Sequence, residues 1–154
     1  VQRAIASFTG VDHRIYPVPT KINTVKVFND AKSTNWDATL KALESVQDQG
    51  KRIYLILGGQ KRGRRDSIKD FLAQFSLAHK ILLIGETSEM LASELAGVVP
   101  FAEVATLDKA IHLFKAEMRP ADVLLLSPAF PSFDQFKNYA DRGNQFKKLV
   151  AEIL

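Results

Sequence analysis

The stretch Asp30-Ala31-Lys32-Ser33-Thr34-Asn35 places a carboxylate, an ammonium, two hydroxyls and an amide directly behind an apolar, β-branched run that stops at Phe28 and Asn29. Helix capping accounts for part of this, because the side chain of Thr34 or Asn35 can satisfy orphan backbone N–H groups at a helix start. It does not call for Asp30 and Lys32, whose charges at a strand end suit a bound ligand. Three more polar clusters follow apolar runs: Gly58-Gly59-Gln60-Lys61-Arg62, Gly85-Glu86-Thr87-Ser88, and Ser127-Pro128-Ala129-Phe130-Pro131-Ser132-Phe133-Asp134. The Gly58-Gly59 pair lets a backbone approach a phosphate closely, yet it belongs to neither G-x-G-x-x-G nor a P-loop. The prolines stiffen the last cluster, and a stiff polar loop after a buried strand favours a site over a mere connection.

Several chemistries are excluded or disfavoured. The chain has no cysteine, which removes disulfides and thiolates, and its three histidines, His13, His79 and His112, are scattered without metal-ligand spacing. These histidines read as structural or surface groups, and no metal site is expected. No Ser/His/Asp order and no acid/base carboxylate pair emerges. The net charge of +4 suits an anionic ligand, although much of the excess lies in Lys61-Arg62-Gly63-Arg64-Arg65. Aromatic stacking partners are not interleaved with those arginines, so a nucleic-acid partner is not expected.

The elements that must position these clusters can be read from periodicity. Apolar runs at 25–29, 52–58, 80–85, 101–105 and 122–127 read as strands. Between them, helical spacing recurs at Trp36, Leu40, Leu43 and Val46, at Ile68, Phe71, Leu72 and Phe75, at Met90, Leu91 and Leu95, at Leu107, Ile111 and Phe114, and from Tyr139 to Ile153. Alternating strands and amphipathic helices predict an α/β, Rossmann-like domain, a mostly parallel sheet of about six strands with helices on both faces. The extra run HRIYPVP at 13–19 precedes the pattern, and its prolines suit an antiparallel edge strand. In such a sheet ligands bind outside the carboxyl ends of the strands, so all four polar clusters should meet on one edge. With 154 residues, 46% hydrophobic, the chain fits a single soluble domain, and no run approaches the roughly 20 apolar residues that span a bilayer. It begins inside what reads as a short helix ending at Gly10, with no starting methionine and no signal-peptide h-region, and so reads as a piece of something longer.

At Asp30-Ala31-Lys32-Ser33-Thr34-Asn35, with His13-Arg14 upstream, Leu126-Ser127-Pro128-Ala129 through Ser132-Phe133-Asp134-Gln135-Phe136 downstream, and Arg142-Gly143-Asn144-x-Phe146 behind, the sequence resembles the C-terminal domain of the Mur ligases. Within that family it is most similar to the members that add D-glutamate. The resemblance runs over nearly the whole chain and implies a closing lid, residues 1–154, of a three-domain, cytoplasmic, monomeric ligase. Its missing N-terminal and central domains would hold UDP-N-acetylmuramoyl-L-alanine and the P-loop for ATP and Mg2+. ATP would phosphorylate the substrate carboxylate, and the amine of D-glutamate would attack the acyl phosphate to form the amide. Without the P-loop the isolated domain is expected to be inactive and to act by positioning.

Carried over by position, the resemblance implies that Arg14 and Lys32 face nucleotide phosphates and Asp30 faces the ribose. Thr34, Ser132 and the backbone at Phe133 would hold the D-glutamate carboxylates, with the Tyr139 ring closing the pocket. The basic residue that pairs with a substrate carboxylate falls by count on Arg62, with Lys61 as the alternative. The sequence departs from the family pattern in the order Ala31-Lys32-Ser33, in the bulky Phe130, in Tyr139 where Phe is common, and in the longer loop Gly63-Arg64-Arg65. A freestanding nucleotide- or anion-binding module without chemistry is the competing reading, and an upstream GxxxxGK[ST] segment in the parent chain separates the two.

Overall fold

The structure, a computed structural model, describes residues 13–154. The helix expected to end at Gly10 lies outside the described residues. The elements in chain order are β1 (Tyr16–Val18), β2 (Lys26–Asn29), α1 (Trp36–Ser45), β3 (Ile53–Leu57), α2 (Leu72–Phe75), β4 (Lys80–Ile84), α3 (Ser88–Leu95), β5 (Phe101–Ala105), α4 (Leu107–Glu117), β6 (Val123–Leu126) and α5 (Tyr139–Ile153). They build a six-stranded sheet in the order β1-β2-β6-β3-β4-β5. Strand β1 runs antiparallel to β2, and every other pairing is parallel. The expected class, strand number and edge strand therefore all appear in the structure.

Side-chain alternation sorts the core into two layers. Ile53, Leu55 and Leu57 of β3 face Leu43 of α1, Phe75 of α2 and Leu91 of α3. Tyr54 and Ile56 face Ile111 and Phe114 of α4 and Phe146 and Val150 of α5. All five residues of β3 are buried, as expected for a central strand covered on both sides.

One helix was read too long from the sequence. The segment 68–75 carries helical spacing, but it folds as a 3-10 turn (Lys69–Phe71) followed by the single α-turn of α2. The reason is a tertiary capture at its start: Glu94 of α3 accepts hydrogen bonds from Ile68 N at 2.8 Å and from Ser67 Oγ at 2.9 Å. With those groups bound sideways, Ile68 and Phe75 still reach the core, but a continuous helix does not form.

Candidate functional site at the carboxyl edge of the sheet

Strand register brings the polar clusters together. Asn29 of β2 lies opposite Leu126 of β6, and Leu126 lies opposite Ile56 of β3, so Asp30, Ser127 and Gly58 leave the sheet side by side. Gly58 N donates to Pro128 O at 2.9 Å, and Gln60 N donates to Pro131 O at 2.9 Å, which puts Ser132 on the same edge. Gly58 holds φ of +121°, a backbone that disfavours any side chain, with Ile84 O directly where a Cβ would stand.

Asp30 is the organising group. Its residue is 2% exposed. Ile15 N donates to Oδ1 at 3.1 Å, while the Ser33 and Ser127 hydroxyls both donate to Oδ2, the latter at 2.7 Å. Burial raises the Asp30 carboxyl to about 6, outweighing those donors and the nearby Arg14 charge, which act in the opposite direction. The hydrogen bond to Ile15 has a backbone consequence. Ile15 sits at φ of +48° and His13 at φ of +66°, a costly region for a β-branched residue, and the carboxylate holds the turn that presents Arg14 between them.

Arg14, Asp30, Lys32 and Thr34 line one cleft of about 550 Å³, together with Asp37 and Lys41 of α1. Asn35 is the N-cap of α1, its Oδ1 accepting from Ala38 N at 2.9 Å, so the capping role falls to Asn35 and Thr34 is left to the cleft. Lys32 and Arg14 are exposed there. Thr34, assigned from the resemblance to the amino acid, thus stands with the residues assigned to the nucleotide.

Arg62 belongs to an adjoining cleft of about 580 Å³, with Arg64, Arg65, Trp36 and Phe71. Its nitrogens are engaged. Nε donates to Asp66 Oδ1 at 3.2 Å, Nη1 donates to Thr34 O, and Nη2 donates to Ala129 O at 3.1 Å, with the guanidinium 5.0 Å from the Phe130 ring centre. The basic run is therefore not uniform: Lys61, Arg62, Arg64 and Arg65 are all exposed, but the Arg62 guanidinium is tied to the loops around it.

Ser132, Phe133 and Tyr139 line neither cleft. Ser132 is 2% exposed, and its Oγ has no hydrogen-bond partner among the described residues. An orphaned buried hydroxyl is costly and calls for a ligand or a water. Phe133 is 64% exposed and Tyr139 39% exposed, both unusually open for aromatic side chains. The Tyr139 ring stands edge-on to His13 with centroids 6.4 Å apart.

Several groups that shape the site have no role assigned from the sequence. Asn29 bridges the turn and the last helix: its Nδ2 lies 3.0 Å from His13 Nδ1 and donates to Gly143 O at 3.2 Å, and its Oδ1 accepts from Ala31 N at 3.1 Å. Thr39 of α1 donates to Ser127 O at 3.2 Å. Arg142, 1% exposed, donates from Nη1 to Phe130 O and from Nη2 to Ala31 O, each at 2.9 Å. Burial lowers its guanidinium to about 10, so it remains a cation at neutral pH. The Arg142-Gly143 pair was visible in the sequence as a motif, but nothing in its spacing told which carbonyls it would reach.

The fold and site together define a mostly parallel α/β domain whose carboxyl edge carries the cations Arg14, Lys32 and Arg62. The Mur ligase, glutamate ligase domain family matches residues 13–130, and the chain belongs to that family. It is 40% identical to the UDP-N-acetylmuramoylalanine–D-glutamate ligase of Solibacter usitatus over 97% of this chain and 33% of that protein. The enzyme of the same name from Desulfatibacillum aliphaticivorans is 38% identical over 97% of this chain and 32% of its own length. The chain thus spans about a third of the curated relatives it matches. Among solved structures, the UDP-N-acetylmuramate-alanine ligase of Thermotoga maritima superposes with a TM-score of 0.62 at 15% identity, over 95% of this chain and 31% of that one, and shares the fold.

Proposed function

We propose that the chain is the C-terminal domain of an ATP-dependent UDP-N-acetylmuramoyl-L-alanine:D-glutamate ligase, a cytoplasmic, monomeric enzyme of peptidoglycan precursor synthesis. The observation that carries this reading is the pairing, on one sheet edge, of a cationic cleft with the partnerless buried hydroxyl of Ser132. A relative at 40% identity bearing the D-glutamate ligase name supports the choice of amino acid.

In this reading Arg14 and Lys32 neutralise nucleotide phosphates. Asp30 Oδ2 is filled by two hydroxyl donors, whereas Oδ1 accepts one and retains a lone pair for a ribose hydroxyl. Ser132 Oγ donates to a D-glutamate carboxylate, the Phe133 backbone adds a donor, Tyr139 closes over the pocket, and Thr34 faces both ligands. Arg62, or Lys61 beside it, supplies the positive charge opposite a carboxylate. ATP supplies the phosphoryl group that activates the muramoyl-alanine carboxylate, and the domain's own part is to bind, orient and exclude water as it closes. Mg2+ would be bound together with ATP, mainly through the central domain.

The test is an ATP-dependent ligation assay on the full-length parent with D-glutamate, L-glutamate and L-lysine. D-glutamate alone should form an amide, with ADP and phosphate released. The isolated chain should form none.

A further inference from the structure

Two arginines span the same gap. Arg62 gives one Nη to Thr34 O in the loop after β2 and the other to Ala129 O in the loop after β6. Arg142 repeats the pattern with Ala31 O and Phe130 O. The first loop carries Lys32 and the second carries Ser132, so each guanidinium ties the nucleotide side of the site to the amino-acid side. Arg62 is itself fixed, because Asp66 accepts from its backbone N at 2.6 Å and from Nε at 3.2 Å, and the Phe130 ring lies against its guanidinium. A planar fork with two separate nitrogens can hold two carbonyls at a set distance, which the point charge of an ammonium cannot do.

We propose that Arg62 and Arg142 are positioning residues that staple the 30–34 and 127–133 loops into one rigid unit, fixing the bound nucleotide relative to the bound amino acid. Arg142 is the buried staple and Arg62 the exposed one. The inference rests on the proposed ligase function and deepens it, since reacting groups misplaced by about 1 Å lose on the order of a hundredfold in rate. Between the loops the backbone contributes the hydrogen bond from Ala129 N to Ser33 O, 3.1 Å long, which reports on the join.

The decisive variant is Arg62→Lys in the full-length enzyme, because it keeps the charge and removes the fork. It should lower kcat by about tenfold or more while the Michaelis constants for ATP and for D-glutamate each stay within about threefold, since each half-site is intact and only their alignment is lost. By hydrogen exchange, the Ala129 amide should lose protection while the Leu55 and Leu125 strand amides keep theirs, and Arg142→Lys should produce the same local loss. A wild-type kcat in Arg62→Lys, or a rise in the D-glutamate constant alone, would overturn the staple and leave Arg62 with the carboxylate contact as its only role. Unchanged exchange at Ala129, or loss of protection throughout the domain, would overturn it as well. Exchange is readable without turnover, so absence of D-glutamate ligation in the parent would sink the proposed function and leave the staple to be decided separately.

Discussion

Ser127 Oγ donates to Asp30 Oδ2 at 2.7 Å, joining the residue that follows β6 to the residue that follows β2 at the head of the site. The bond lies in the interior, where Asp30 is poorly hydrated, and this gives the site a pH signature. Because burial raises the Asp30 carboxyl from 3.8 to about 6, the folded protein holds a proton in that interval which the unfolded chain has released. Stability therefore falls as pH rises through the window, by at most roughly 3 kcal/mol from this group. In Asp30→Asn that contribution should vanish, so denaturation midpoints of wild type and variant should converge or cross between about pH 4 and pH 7. Parallel pH profiles for the two proteins would show that Asp30 is ionised throughout.

Ser132→Ala separates ligand recognition from folding. The wild-type hydroxyl is buried without a partner among the described residues, so removing it should leave stability unchanged or slightly higher. Losing a hydrogen bond to a charged group costs about 1.5 to 3 kcal/mol, equivalent to roughly ten- to 150-fold in affinity. In the full-length enzyme the D-glutamate Michaelis constant should rise by that order with the ATP constant nearly unchanged. A stability loss instead would place the hydroxyl in a structural water network.

Lys32 is exposed on the cleft wall, and its backbone N–H donates to His13 O, a bond that survives truncation of the side chain. Lys32→Ala should cut turnover of the full-length enzyme by at least about tenfold while changing stability by about 0.5 kcal/mol or less. Melting temperature and steady-state rates measured on the same preparation decide it. Full activity would remove Lys32 from the site.

Gly143→Ala would ordinarily strengthen a helix by about 0.5 to 1 kcal/mol. Here a Cβ on α5 would run into the ring of His13. The clash should reverse the sign and destabilise the chain by about 1 to 3 kcal/mol, as overpacked interiors do. Urea denaturation gives the answer, and a stabilised variant would mean that the His13 turn can move away from α5 at little cost.

What the sequence by itself determined follows from local physics. Strands and helices announce themselves through side-chain periods of two and 3.6, so the apolar runs ending at 29, 58, 85, 105 and 127 located the ends of β2, β3, β4, β5 and β6 to within about a residue. Because a parallel sheet sends all those ends to one edge, Asp30, Lys32, Gly58 and Ser132 could be assembled on paper. The segment 68–75 escaped the reading because Glu94, a residue from another helix, decides it. Tertiary structure alone decided which polar groups are spent and which are free. Asp30 and Lys32 look equally available in sequence, yet one is enclosed by Ile15, Ser33 and Ser127 and the other stands open. Arg142 reaches Ala31 across 111 positions and Asn29 reaches Gly143 across 114, pairings that no local pattern encodes, since a hydrogen bond depends on where two atoms end up and not on the chain between them.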